Sequence, residues 1–394
     1  MISVEEAYSR IKSSITQLKP LTVQLRDGLG LVLASDIRSP LHSPPFNNSA
    51  MDGYALRFAD YEKGKQIRII GEVAAGDVFS RKLKSGEAVR IFTGAAVPSG
   101  ADTVVMQEKT STLFGNLIIE AHQFSKGSNI RLAGSQIRKG KVALSKGHQL
   151  NPASVGYLAS LGIHEVKVYG KPKVAVVVTG TELIAPGNEL KPGQIFESNS
   201  SMLVAVLEQH GFTETKIIRA PDRYQDILKA FDKALEFADV ILFTGGISVG
   251  DYDFVGDVLK KHRVKEVFYK IKQKPGKPIY FGVKNKKPVF GLPGNPASVL
   301  TCFYEYVLPA LKIAMNHPQS FPIELLLPLK GAYRKKPGMT HFLKAKTDLN
   351  SAAILPGQES YLLSSFAEAN CLVVLDESTE LVQNNQLVKI HLIN

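Results

Sequence analysis

The chain holds only two cysteines in 394 residues. That excludes a disulfide scaffold and a cysteine-rich metal centre. Cys302 and Cys371 sit in apolar runs, "VLTCFYEY" and "ANCLVVL", so both are expected as buried free thiols. No apolar run approaches membrane-spanning length, and no low-complexity tract interrupts the chain. The first residues, "MISVEEAYSR", lack the basic-then-apolar order of a secretory leader. These absences point to the cytoplasm and to no membrane partner. The nine histidines show no metal-ligand spacing, and no serine–histidine–acid set has sequence support. Neither a Walker loop nor G-x-G-x-x-G occurs at the glycine-rich turns, which disfavours an ordinary NTPase or a dinucleotide oxidoreductase.

What is present is length, glycine and positive charge. A chain of 394 residues exceeds one core and suggests two to four domains. Its 32 glycines and 21 prolines imply many turns and much β structure. The net charge of +12 favours an anionic partner without naming one. From Lys260 to Lys287 there are 11 Lys or Arg and one acid, Glu266. A solvated face is the ordinary reading of such a run. The turn "KPGKP" inside it makes a phosphate-facing loop a rival reading. The run lacks interleaved stacking aromatics and a known module, so nucleic acid is not expected.

Apolar spacing predicts a helix over 2–18 and another opening at Asn151-Pro152. Short β-rich pieces between turns fill 67–119. From Lys173 the class changes. "KVAVVVTG" and "DVILFTGG" read as strands buried on both faces, with helices predicted at about 200–210, after Asp222 as cap, and from Asn295-Pro296 to about Ala310. Strands alternating with helices give a doubly wound α/β domain. The whole is a multidomain α/β fold. A discontinuous helical or mixed linking domain covers 1–45 plus 146–170, and a small β-rich domain is inserted at 46–145. The α/β domain spans 171–318, and a C-terminal, β-barrel-like domain spans 319–394.

Ligands of open α/β sheets bind beyond the carboxyl ends of the strands. Three loops qualify there. They are "TGTEL" with Thr179 and Gly180, "TGGISVGDYDF" with Gly245, Gly246 and Ser248, and "GLPGNPAS" with Pro293, Gly294, Asn295 and Ser298. Each places glycines and hydroxyls where backbone N–H groups can approach an anion. Any one loop is more simply a tight turn with a capped helix, but three on one edge shift the reading toward a phosphate-bearing ligand. Asp251 and Asp253 are either helix caps or magnesium ligands. Lys270, Lys274 and Lys277 supply point charges for phosphate or an oxyanion. In "SPPFNNSAMDGYALR", Asp52-Gly53 is either a hairpin turn or a carboxylate presented on a stiff loop.

Several of these pieces together resemble the molybdopterin molybdenumtransferase (molybdenum insertase) family, which includes the C-terminal domain of gephyrin. They are "PPFNNSAMDGYA", "IFTGAAVPSGADTVVMQE", "NIRLAG", "VAVVVTGTEL", "FTGGISVGDYDF", "KPGKPIYFG" and "GLPGNPASVLTCF", in the family's order. The tail "GQESYLLSSFAEANCLVVL" is similar to its C-terminal domain. The resemblance implies magnesium-assisted insertion of molybdate into adenylylated molybdopterin with release of AMP. It also implies four domains and an elongated homodimer with its site near the subunit boundary, where Asp52 would reach the partner. Cofactor-pathway enzymes are possible partners. Asp52, Thr93, Glu182, Asp222, Asp253, Lys270, Lys274 and Ser360 match family functional positions, and Lys277 and Ser298 match the oxyanion neighbourhood.

Some positions depart from the pattern. Gln136 stands near an expected carboxylate, Thr181 where Asp is usual, and Met339 and Lys344 where arginines are common. A lysine at 344 is expected to hold an oxyanion as a point charge, without bidentate grip. Two alternatives are a molybdopterin adenylyltransferase, which usually needs only the α/β domain, and a non-catalytic scaffold of the same fold.

Overall fold

The computed structural model describes residues 1–62, 65–120, 123–246 and 254–393. Its contacts divide the chain into two compact units. The larger is Met1–Thr22, Gly30–Ala34 and Lys167–Asn394; the smaller is Val23–Leu29 and Ser35–Val166. Helix α1, Val4–Ser14, opens the larger unit. Ser3 caps it by accepting the Glu6 N–H at 3.1 Å, and Val4, Ala7 and Ile11 form its buried stripe.

The smaller unit is built on six strands: β1 (Gly53–Leu56), β2 (Ile67–Val73), β3 (Glu87–Ile91), β4 (Thr103–Met106), β5 (Thr110–Leu113) and β6 (Asn116–Ile119). They lie in the order β4-β1-β3-β2-β6-β5. Neighbouring residues point to opposite faces, and both faces are apolar. Ala55, Val89 and Val104 join one cluster; Leu56, Ala88 and Val105 join the other. The hairpin reading of Asp52-Gly53 is overturned. Gly53 has no left-handed φ, and it begins a strand between β3 and β4. Glycine is needed there because a Cβ would lie 1.9 Å from the Val105 carbonyl oxygen. Helix α2, Pro152–Ser160, starts as its sequence suggests, with Asn151 Oδ1 accepting the Ser154 N–H at 2.8 Å.

In the larger unit, β7 (Val174–Thr179), α3 (Asn199–Gln209), β8 (Thr215–Ala220), α4 (Tyr224–Phe237), β9 (Val240–Thr244), α5 (Phe254–Lys261) and β10 (Lys265–Tyr269) alternate. Then follow β11 (Gln273–Lys274), β12 (Tyr280–Lys284) and β13 (Lys287–Leu292). The central sheet has the order β8-β7-β9-β13-β12-β10. Its first four strands are parallel, and β12 runs antiparallel to both β13 and β10. The sheet is therefore mixed, because "KPIYFG" and "KPVFGLPG" pair as a hairpin. The winding order reverses between β7 and β9, which sets the topological switch point at the ends of those strands.

The last helical stretch is longer than its sequence reading. Helix α6 (Pro296–Cys302) runs through a π turn (Phe303–Val307) into α7 (Leu308–Ala314). This continuous helix is long and apolar enough to cross a membrane, but 83% of its apolar stretch is buried inside the protein, as in a core helix. The terminal strands are β14 (Glu324–Lys330), β15 (Thr340–Thr347), β16 (Ala352–Ile354), β17 (Cys371–Leu375) and β18 (Leu387–Leu392). They run β11-β15-β16-β14-β18-β17, and β17 pairs back with β15, which closes a barrel. The edge strand β11 is a segment from between β10 and β12, so Lys274 belongs to the barrel's sheet.

Candidate functional site

The first two candidate loops meet at the switch point. Gly245 and Gly246 have φ of +87° and +64°. A Cβ on Gly245 would lie 2.8 Å from the Thr179 carbonyl oxygen, and one on Gly246 2.8 Å from Thr179 Oγ1. The two strand ends are thus packed as tightly as glycine permits. The third loop is tied to them by Asn199, which no sequence pattern singled out. Its Nδ2 donates to Thr244 Oγ1 and to the Gly294 carbonyl, both at 2.9 Å. Its only sequence signal was its place at a helix start behind the first loop. Among the described residues, Asn199 Oδ1 and Thr179 Oγ1 are buried without a hydrogen-bond partner. Two orphaned polar atoms at the junction of three loops are the mark of a ligand seat.

Beside this junction a cavity of about 400 Å³ is lined by Gly180, Thr181, Glu197, Arg219 and Arg223, among others. Asp222 does not cap α4. That position is Arg223, and it makes no side-chain cap bond. Asp222 Oδ2 instead accepts the Thr181 N–H at 3.2 Å, so it braces the first loop. Burial pushes its carboxyl up, and nearby Glu182 adds to this against the opposing Thr181 bond.

The lysine turn is seated from below. Gln273 is fully buried, and its Nε2 donates to the Pro275 carbonyl at 2.9 Å. Tyr306 OH donates to Gln273 Oε1. Cys302 Sγ lies 3.7 Å from the Gly276 carbonyl oxygen. Both cysteines are buried and free, and burial raises both thiols, that of Cys371 to about 11. Lys274 and Lys277 are exposed at the turn. Lys270 has a left-handed φ of +67°, and its ammonium lies 4.7 Å from the Tyr269 ring centroid.

Ser360 meets the third loop directly. Asn295 Nδ2 donates to Ser360 Oγ at 2.8 Å, and the Ala297 N–H donates to the Ser360 carbonyl at 3.1 Å. Asn295 stands before α6 but makes no capping bond. Pro293 and Ser298 are buried on either side of the exposed Gly294 and Asn295. Lys344 differs from its expected role. It is 2% exposed, and its ammonium donates to the carbonyls of Gly357, Glu359 and Leu362 at 2.6, 3.2 and 3.0 Å. An ammonium has three protons, so none is left for an oxyanion. Lys344 shapes the loop that carries Ser360.

In the smaller unit, Asp52 and Thr93 are brought together. Asp52 Oδ1 accepts both the Thr93 N–H and the Thr93 hydroxyl at 2.7 Å. Those bonds hold its carboxyl below the usual range, so it is ionised at neutral pH. Gln136 accepts from Ser43 Oγ at 2.9 Å and so fastens the proline loop ahead of Asp52. Ser248, Asp251 and Asp253 lie outside the described residues. Among the described residues, no group of three or more His, Cys, Asp or Glu could hold a metal.

Three family descriptions match in series. "MoeA N-terminal region (domain I and II)" matches residues 2–162, "Probable molybdopterin binding domain" 175–313, and "MoeA C-terminal region (domain IV)" 327–393. A molybdopterin molybdenumtransferase of Haemophilus influenzae is 36% identical, covering 100% of this chain and 99% of that protein. One of Staphylococcus aureus is 34% identical over 95% and 91%. A solved structure of a molybdopterin biosynthesis MoeA protein from Pyrococcus horikoshii covers both chains completely, with a TM-score of 0.84 at 31% identity. With matches running nearly end to end in sequence and in fold, the chain belongs to the molybdopterin molybdenumtransferase family.

Proposed function

We propose that this chain inserts molybdate into adenylylated molybdopterin and releases AMP, as a magnesium-assisted, cytoplasmic homodimer in molybdenum cofactor biosynthesis. The observation that carries the reading is Asn199. One amide ties two of the glycine-bearing strand ends together and leaves an acceptor oxygen buried and unused. A pterin N–H is the kind of donor that such an oxygen takes.

The backbone N–H groups of the glycine turns suit phosphate oxygens, and Lys274 and Lys277 offset the charge of the incoming dianion. Two Mo–S bonds form as molybdate gives up one oxygen, which leaves as water with the two thiol protons. Hydrolysis of the phosphoanhydride frees AMP. Charge stabilisation at the departing phosphate is the main contribution asked of the protein. For magnesium, the Thr179 hydroxyl and the Glu182–Asp222 carboxylates are hard oxygen donors of the fitting type, and Asp251 and Asp253 would add to them. Magnesium, when bound, would neutralise phosphate oxygens and polarise the scissile linkage.

The test mixes the purified chain with adenylylated molybdopterin, molybdate and magnesium. Molybdate-dependent AMP release is the expected result. ATP-dependent adenylylation of molybdopterin without that release would instead identify an adenylyltransferase. Light scattering reads the homodimer separately.

A further inference from the structure

The register of β11 against β15 places an unassigned histidine next to Lys274. The two strands pair in parallel, with Gln273 opposite Thr340 and Lys274 opposite His341. Directly opposed residues share a face of the sheet. Gln273 and Thr340 are both buried, 0% and 3% exposed, so they take the inner face. Lys274 and His341 therefore share the outer one, where Lys274 is exposed and His341 is half-buried.

Among the described residues, the charged groups that act on His341 are both basic. Lys274 faces it from β11 and Lys335 from the segment before β15. On its other side it opposes Leu375 of β17. The acids that follow, Asp376 and Glu377, attract Lys335, and Glu377 also pairs with Lys272 at 3.4 Å. Among the described residues, neither the imidazole of His341 nor the ammonium of Lys274 has a hydrogen-bond or ion-pair partner. A neutral ring beside two cations, with its donor unused, suits a dianion.

We propose that His341 joins the lysine turn in seating the oxyanion substrate, and that binding of the anion draws a proton onto the imidazole. That the anion is molybdate rests on the proposed function. Without an anion, burial and then Lys335 and Lys274 push the imidazole down to about 4, so it is neutral at pH 7 and adds no repulsion. A bound dianion reverses the local field and favours the charged ring. Linkage then fixes the sign: a group whose pKa rises on binding makes binding tighter as pH falls. Affinity gains about tenfold per pH unit once the pH lies below the anion-bound pKa.

The experiment is calorimetric titration of the full chain with sodium molybdate at pH 6 and pH 8, in two buffers of different ionisation heat. His341→Gln and Lys274→Ala are run beside the wild type, with thermal melts to confirm folding. The wild type is expected to bind several-fold tighter at pH 6 and to take up a proton. His341→Gln, which keeps a donor but cannot charge, should bind without proton uptake and with a flat pH response. Unchanged proton uptake in His341→Gln, or no binding of millimolar molybdate by the wild type, overturns the inference. AMP release assayed in parallel separates the two readings. Release with a molybdate KM independent of pH leaves insertion standing and removes His341. Linked binding without release does the reverse.

Discussion

Each proton of the Lys344 ammonium meets a carbonyl of the loop that carries Ser360. Methionine at 344 would keep the stem but remove all three donated bonds, leaving the Gly357 carbonyl only the Ser365 hydroxyl at 2.7 Å. Lys344→Met is therefore expected to lower stability by about 2–4 kcal/mol, measured by urea unfolding. The Asp52–Thr93 contact makes a second prediction. Thr93→Val removes the hydroxyl donor and keeps the backbone one, so the Asp52 carboxyl should titrate at higher pH, read by carbon NMR. A titration that does not move would deny the threonine its role. Asp52 was legible as an acid behind a stiff loop, which is a local pattern, whereas Thr93, 41 residues away, was marked only by the family resemblance. Asn199 was not. Its amide joins Thr244 to Gly294, and separations of 45 and 95 residues leave no local trace. Lys344 was legible as a departure from arginine, but its three carbonyls appear only when the loop folds back on it.

Among the elements, the turn bearing Lys274 and Lys277 depends on Gly276. Its φ is +85°, and a Cβ there would lie 2.5 Å from Cys302 Sγ and 2.8 Å from Gln273 Nε2. Gly276→Ala is therefore expected to cost about 1–3 kcal/mol and to cut kcat/KM for molybdate at least tenfold. Adding Cys302→Ala removes the crowding sulfur and should restore part of both losses, which a double-mutant cycle measures. Additive losses would show that the turn does not rest on Cys302. Elements with local causes were legible: the Asn151 cap, the all-buried run of β7, and the apolar stripe of α4. Those whose cause lies in a distant partner were not. Strand β11 exists because Thr340, far along the chain, donates its N–H to the Lys272 carbonyl. The mixed sheet likewise follows from β12 pairing with β13, since apolar runs do not encode direction.

Across the larger unit, α1, the long helix and the final strand converge on one buried carboxylate. Glu305, on the π turn, is 0% exposed. It accepts the Tyr8 hydroxyl from α1, and His391 Nδ1 of β18 lies 2.9 Å from its Oε2. At the π turn, Phe303–Val307, the helix ladder is locally rearranged to the wider i→i+5 pattern. Burial pushes the His391 imidazole down, but attraction and hydrogen bonding to Glu305 overcome it, and the net shift is upward. A raised histidine stabilises the fold fully below its ordinary pKa, near 6.5, and that contribution disappears as pH rises through the folded value. The melting transition of the larger unit should therefore move to lower temperature above about pH 6.5, as scanning calorimetry reads it. His391→Gln should flatten that slope while leaving Glu305 a hydrogen-bond donor. Glu305→Leu should destabilise strongly, by about 3–5 kcal/mol, because a buried imidazole and the Tyr8 hydroxyl lose their shared acceptor. A slope that persists in His391→Gln would mean that the alkaline loss arises elsewhere and that the three elements are held together by packing, without the ion pair.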